Sequence, residues 1–219
     1  MKRALVLLAV TSTAWIDWDL SHSASESLWD FDPVVVSRLE TAMWRSYYEH
    51  RSVALYRDLV RTLREEDHLT FWSANLAAYR AAKAAVVFQR GTARADYEKA
   101  LPDLTRYYGE IRRFSANPFD VRRAAELELE WWIVHRQRTL HAAGDLERAL
   151  ADLQAEIYRQ PSEGFLPHAK ARAEAMRIRD NSAAGVGTTE ADWRKIDTLL
   201  RESWTTLKRE VARTNKSRL

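Results

Sequence analysis

Apolar residues recur every three or four positions through most of this chain, and little interrupts them. The cleanest run is Trp193, Ile196, Leu200, Trp204, Leu207 and Val211, one face of an α-helix by its spacing. Leu146, Leu150, Leu153 and Ile157 repeat the pattern. Only six glycines and five prolines punctuate 219 residues. Ala, Leu, Arg and Glu, all good helix formers, fill much of the rest, and no stretch alternates like a strand. The pattern predicts an all-α, single-domain irregular helical bundle of about seven helices. Hydrophobic residues are 46% of the chain and charged residues 30%, which suffices to bury a core and is too apolar for disorder.

The helix boundaries follow from local chemistry. Asp32-Pro33 starts a helix with an acidic cap and a proline at its first position; it is read as running to about Glu66. Its apolar stripe passes Val35, Leu39, Ala42, Ser46, Val53, Tyr56, Val60 and Leu63, with Glu49 on the same line and His50 beside it. The next helix, Thr70 to about Gln89, is so rich in alanine that neighbours can approach closely, and it is expected to be the central, most buried one. Arg94 to Ser115 contains Pro102, which predicts a break near Leu101. Asp120 caps a helix that continues to about Arg138. Further helices are expected from Gly144-Asp145 to about Tyr158, from Phe165 to Asp180 with His168 and Arg172 on one line, and from a cap at Thr189 and Asp192. Asn181 to Thr188 reads as a loop.

The start of the chain has its own character. Met1-Lys2-Arg3, the apolar run from Ala4 and the small residues Ser12-Thr13-Ala14 resemble a signal peptide cleaved after Ala14. The apolar run of about 13 residues falls short of the roughly 20 needed to span a bilayer. The expected organisation is therefore a signal peptide or short apolar anchor over 1–16, a polar and aromatic linker over 17–32, a helical domain over 33–213 and a basic tail over 214–219. An export signal would place the protein in the periplasm or at a membrane, with attachment through the N-terminal segment; without one it would be cytoplasmic.

Several function classes drop out. The 34 basic and 31 acidic residues interleave to a net charge of +3, so no basic stripe marks a nucleic-acid binder. With no cysteine there is no disulfide, thiolate metal site or cysteine nucleophile. Phosphate loops, Gly-x-Ser-x-Gly and His-Glu-x-x-His are absent from the sequence.

Acids, paired tryptophans and a histidine meet only in Ala125–Arg138. Glu126 can pair with Arg122 or Arg123, but Glu128 and Glu130 have no basic residue three or four positions away. A carboxylate beside two indoles loses hydration and rises in pKa unless a cation is near. The candidate polar cluster is Glu49, His50, Glu128, Glu130 and His135, with Glu40 a further helix-borne acid. If the 33–66 helix packed antiparallel to the Glu/Trp helix, Glu49 and His50 would face Glu128 and His135, a ligand set suited to iron, manganese or zinc. A di-iron bundle needs two Glu-x-x-His pairs and two further glutamates. Glu65 and His68 form one such pair, at a polar helix end, so no metal or cofactor is assigned. A candidate aromatic pocket consists of Tyr47, Trp72, Trp131 and Trp132, drawn from nine tryptophans in all.

Three functional readings follow. The first is a non-catalytic interaction or accessory protein of the cell envelope, with a protein partner or membrane-associated complex. The second is a metal-dependent carboxylate/histidine enzyme, and the third a binder of an apolar or aromatic small molecule.

Overall fold

The computed structural model describes residues 2–21, 27–183 and 187–216. The helices are α1 (Lys2–Ser21), α2 (Pro33–Tyr48), α3 (Ser52–Glu66), α4 (Phe71–Arg90), the single turn α5 (Arg94–Tyr97), α6 (Leu101–Phe114), α7 (Val121–Arg136), α8 (Asp145–Tyr158), α9 (Leu166–Ala183) and α10 (Glu190–Lys216). The fold is all-α. The central three residues of the expected 181–188 loop, and the last three of the expected basic tail, lie outside the described residues, as does the middle of the 17–32 linker.

Capping explains where several helices begin. The Asp32 carboxylate accepts from the Val34 and Val35 backbone N–H groups at 2.8 and 3.4 Å, with Pro33 in the first turn. Asp120 accepts from the Arg123 N–H at 3.0 Å. Thr189 and Asp192 cap one another's backbone reciprocally. Pro102 falls in the first turn of α6, after a 3-10 turn over Glu98–Ala100, so the break expected near Leu101 occurs there.

The stretch read as one helix over 33–66 is two. α2 ends at Tyr48, and His50 adopts the left-handed conformation at φ 57°, with the Arg51 N–H returning to the Ser46 carbonyl at 2.8 Å. His68 and Arg159 end α3 and α8 the same way, at φ 56° and 54°. A non-glycine residue there carries about 1–2 kcal/mol of strain. His50 is exposed, so His50→Gly is expected to stabilise the protein by about 1 kcal/mol and raise Tm by roughly 2–4 °C. An unchanged or lower Tm in calorimetry would contradict this account of the break.

Helices α2, α3, α4, α6, α7, α8, α9 and α10 each pack on the next, and α10 packs back on α2. The chain therefore closes into a ring of eight helices. Neighbours are joined by buried apolar side chains, among them Leu63, Leu104, Phe114, Phe165, Ile196, Leu200 and Leu207. Every residue of the α10 stripe is buried. The alanine-rich α4 is one member of the ring rather than its centre. It buries Ala74, Ala77, Ala78 and Ala84 and exposes Tyr79 and Val86, because small residues on one face suit close approach without requiring enclosure on all sides.

The helix α1 continues through Ser21, so the first part of the expected linker is helical. It docks on α4 by an unusual cap. Thr70 stands at the N-cap of α4 without capping it. Instead the buried Asp19 accepts from the Trp72 and Ser73 N–H groups at 2.9 and 3.3 Å and from the Thr70 hydroxyl at 2.6 Å. Trp15 stacks on Phe71, and Arg113 donates to the Leu20 carbonyl. Asp19→Ala is expected to destabilise the protein by about 1–2 kcal/mol. It should also expose the first 21 residues to limited proteolysis; unaltered protection would mean that Trp15 and Arg113 alone hold α1. Farther on, Leu28 and Phe31 are buried, so the second part of the linker is fastened to the ring.

Candidate functional site

Polar and aromatic side chains from around the ring meet one another. Glu40 comes from α2, Glu66 from the last turn of α3 with Asp67 after it, Tyr107 and Tyr108 from α6, and Glu128 and Trp132 from α7. Tyr158 ends α8, His168 and Arg172 lie on α9, and Trp204 on α10.

Two of the four acids are fully engaged. Glu40 is 2% exposed. Its Oε2 accepts from Arg172 Nη1 at 2.9 Å and Trp204 Nε1 at 2.6 Å, and its Oε1 pairs with Arg172 Nη2. This two-pronged pairing satisfies a buried charge. Burial opposes the Arg172 charge, but Glu40, Glu128 and Glu66 outweigh it and raise the guanidinium pKa. Glu128 Oε2 accepts from the Tyr108 hydroxyl and Oε1 from the Trp132 indole, both at 2.8 Å. The carboxylate that lacked a basic neighbour in sequence is thus held by neutral donors.

Glu66 and Asp67 are different. No hydrogen bond or ion pair reaches either carboxylate among the described residues. Asp67 is 8% exposed. Burial pushes its pKa up to about 7. Glu66 lies deep among protein atoms, and its pKa is raised well above the usual carboxylate range by burial, then by Asp67, Glu40 and Glu128, against the opposing charge of Arg172. Tyr107, Tyr108 and Tyr158 are also pushed well up, chiefly by burial and then by these acids. The His168 pKa is driven down to about 3 by burial and the Arg172 charge, so the ring is neutral; its Nδ1 lies 3.1 Å from the Ser203 carbonyl.

Glu66, Tyr107, Glu128, Trp131, Trp132 and Arg172 nevertheless keep part of their surface accessible. A separate groove of about 560 Å³ runs between α7 and α8, lined by Arg123, Leu127, Asp152, Glu156 and Gln160 among others, with none of the expected pocket aromatics.

The residues singled out from sequence are dispersed. Glu49 is exposed beyond the end of α2, paired with Arg45 at 2.8 Å and Arg51 at 3.0 Å, and His50 is exposed beside it. Glu130 pairs with Arg94 at 2.8 Å. His135 lies 3.1 Å from Asp180. Burial works against ionisation of Asp180, but His135, Arg138 and Arg179 together hold its pKa below the ordinary value. Glu128 alone of the five faces the axis, and the helices bearing Glu49 and Glu128 are not neighbours in the ring. The aromatic set also divides. Tyr47 is exposed against Tyr48, Trp72 packs with Trp15 and Phe71, and Trp131 meets Trp132 edge to face at 6.1 Å.

Sequence reading had Glu40 and Glu128 as acids and placed His168 and Arg172 on one line. It missed Glu66, Asp67, Tyr107 and Tyr108. Glu66 and Asp67 resemble any charged helix end, and the tyrosines resemble ordinary apolar-face residues.

No three histidine, aspartate or glutamate side chains converge to hold a metal ion among the described residues. Comparison with protein-family models, curated proteins and solved structures found no match to this chain.

Proposed function

We propose that this protein is a non-catalytic accessory protein of the cell envelope that holds a small molecule at the axis of its helical ring. The observation that carries the reading is the pair Glu66 and Asp67. Burying unpartnered acids is unfavourable, and a fold keeps such groups most readily where a ligand completes them. The surrounding donors and acceptors are already fixed by one another, as a preformed binding site requires. Reading the start of the chain as an export signal adds the envelope. Trp15, Asp19 and Leu20, which dock on the ring, follow the expected cleavage point after Ala14, so a processed chain would keep its dock.

Two measurements test this. A thermal-shift panel of small cations, anions and neutral aromatics should contain at least one compound that raises Tm in the wild type and does so less in Tyr107→Phe. No stabilising compound, together with a native mass equal to that of the bare polypeptide, would overturn the binding reading. N-terminal sequencing of the protein from its own cells should begin at Trp15; a start at Met1 would overturn export by cleavage.

A further inference from the structure

Independently of the axial reading, we infer that the groove between α7 and α8 binds the carboxy-terminal end of a short peptide or an N-acylated amino acid, its amide against Gln160 and its carboxylate against Arg123. At about 560 Å³ the groove is large enough for such a ligand. Gln160 lines it and is only 8% exposed. Neither Oε1 nor Nε2 of its carboxamide has a hydrogen-bond partner among the described residues. Buried polar side chains are nearly always paired. Here one acceptor and one donor are left unmet on a residue of the groove wall.

The backbone around Gln160 is fixed without help from its side chain. Arg159 adopts the left-handed conformation at φ 54° and turns the chain. The Gln160 N–H then returns to the Ala155 carbonyl at 3.1 Å, and Asn117 Nδ2 donates to the Ile157 carbonyl at 3.3 Å. The acids of the groove already have donors. Asp152 accepts from the Ser162 hydroxyl at 2.6 Å. Glu156 accepts from the Asp120 backbone N–H at 2.8 Å and from Arg159 at 2.9 Å. Arg123 is held more loosely. Its side chain is 57% exposed, and its guanidinium stands 3.8 Å from Glu126, beyond direct hydrogen-bond reach.

An open carboxamide beside a loosely held cation selects the ligand. In an extended residue the N–H and the oxygen that follows it point to the same side of the chain, as they do in strand pairing. One carboxamide can therefore accept from that N–H and donate to the terminal carboxylate, while Arg123 takes the charge. Leu127, Ala155 and Pro161 supply an apolar lining for the ligand's side chain. The Arg123 and Arg159 side chains are both more than half exposed, so they can part to admit it.

The test is calorimetric titration of the full chain with N-acetylleucine and two analogues. 4-Methylpentanoate keeps the side chain and carboxylate without the amide; N-acetylleucinamide keeps the amide without the charge. Wild type, Gln160→Met, Arg123→Gln and Tyr107→Phe are compared, with circular dichroism confirming the fold. Arg123→Gln, at an exposed position, keeps the test sound should Gln160→Met fail to fold. The expected result is saturable binding of N-acetylleucine, at least fivefold tighter than either analogue and at least fivefold weaker in Gln160→Met and Arg123→Gln. Without ligand, Gln160→Met should melt no lower than wild type, because methionine keeps the volume and leaves no amide unmet; a lower Tm would mean that the amide is already satisfied and would overturn the inference. So would the absence of binding, equal affinity in wild type and Gln160→Met, or equal affinity for 4-methylpentanoate. Binding lost in Tyr107→Phe but kept in Gln160→Met would move the ligand to the axis, overturning the groove while leaving the axial reading standing.

Discussion

Replacing Arg172 with methionine is expected to destabilise the protein by about 3–5 kcal/mol, the usual effect of breaking a buried ion pair by removing one partner. Methionine roughly preserves the volume of the side chain, so the loss measures electrostatics more than a cavity. The Glu40 carboxylate would keep only the Trp204 indole as a charge-stabilising donor in a site that is 2% exposed. Glu40→Gln should be milder, because Arg172 still faces Glu128 and Glu66. The double variant should recover much of the loss, since two neutral groups no longer require compensation. Urea denaturation of the four proteins at pH 7 gives the coupling energy between the two sites, and a value of roughly 2 kcal/mol or more is expected for directly paired groups. A loss below about 1 kcal/mol in Arg172→Met would place the pair in the weak regime of surface ion pairs and would remove the axial network as an organising element.

That network shows how far the sequence was legible. Periodicity and caps located the helices well because they depend on neighbours within one turn: Asp32, Asp120, and Thr189 with Asp192 each act on backbone a few residues away. The break at His50 was not legible. The apolar stripe continues across it, and a left-handed histidine has no signature that glycine or asparagine would have supplied. Closure of the ring depends on contacts between α2 and α10, elements separated by most of the chain, and periodicity carries no information about which helices meet. The same reason explains the candidate site. Glu128 was conspicuous because it lacked a local partner, and it does face the axis. Glu130 was equally conspicuous, yet Arg94, 36 residues away, engages it at the surface, and Glu49, well placed on a helix line, pairs with its sequence neighbours Arg45 and Arg51. A missing partner within four residues does not separate a buried acid from an exposed one. Glu66 and Asp67 lay in a run, Arg64 to His68, whose polarity suggested solvent, although Asp67 is buried.

The second large effect is a pH dependence that Asp67→Asn should abolish in part. The Asp67 carboxyl rises from 3.8 to about 7 on folding, and Glu66 rises as well, so between about pH 4 and 7 the native state binds more protons than the unfolded chain. Stability from these groups is therefore present at low pH and lost as pH rises through the folded value. His168 acts in the opposite sense. Its pKa falls from 6.5 to about 3, so acidification through that range favours the unfolded state. The two slopes oppose each other below about pH 6.5, and the acids govern the slope above it. With two such acids against one histidine, these groups together lower wild-type stability as pH rises above about 4.5, and more steeply above about pH 6.5. Because His168 is common to both proteins, the difference between Asp67→Asn and wild type isolates the acid. It should grow from near zero at pH 4 to roughly 2–4 kcal/mol in favour of the variant at pH 8, since a tenfold change in proton affinity corresponds to about 1.4 kcal/mol. A difference that stays constant from pH 4 to 8 in urea denaturation would mean that Asp67 ionises as freely in the fold as outside it.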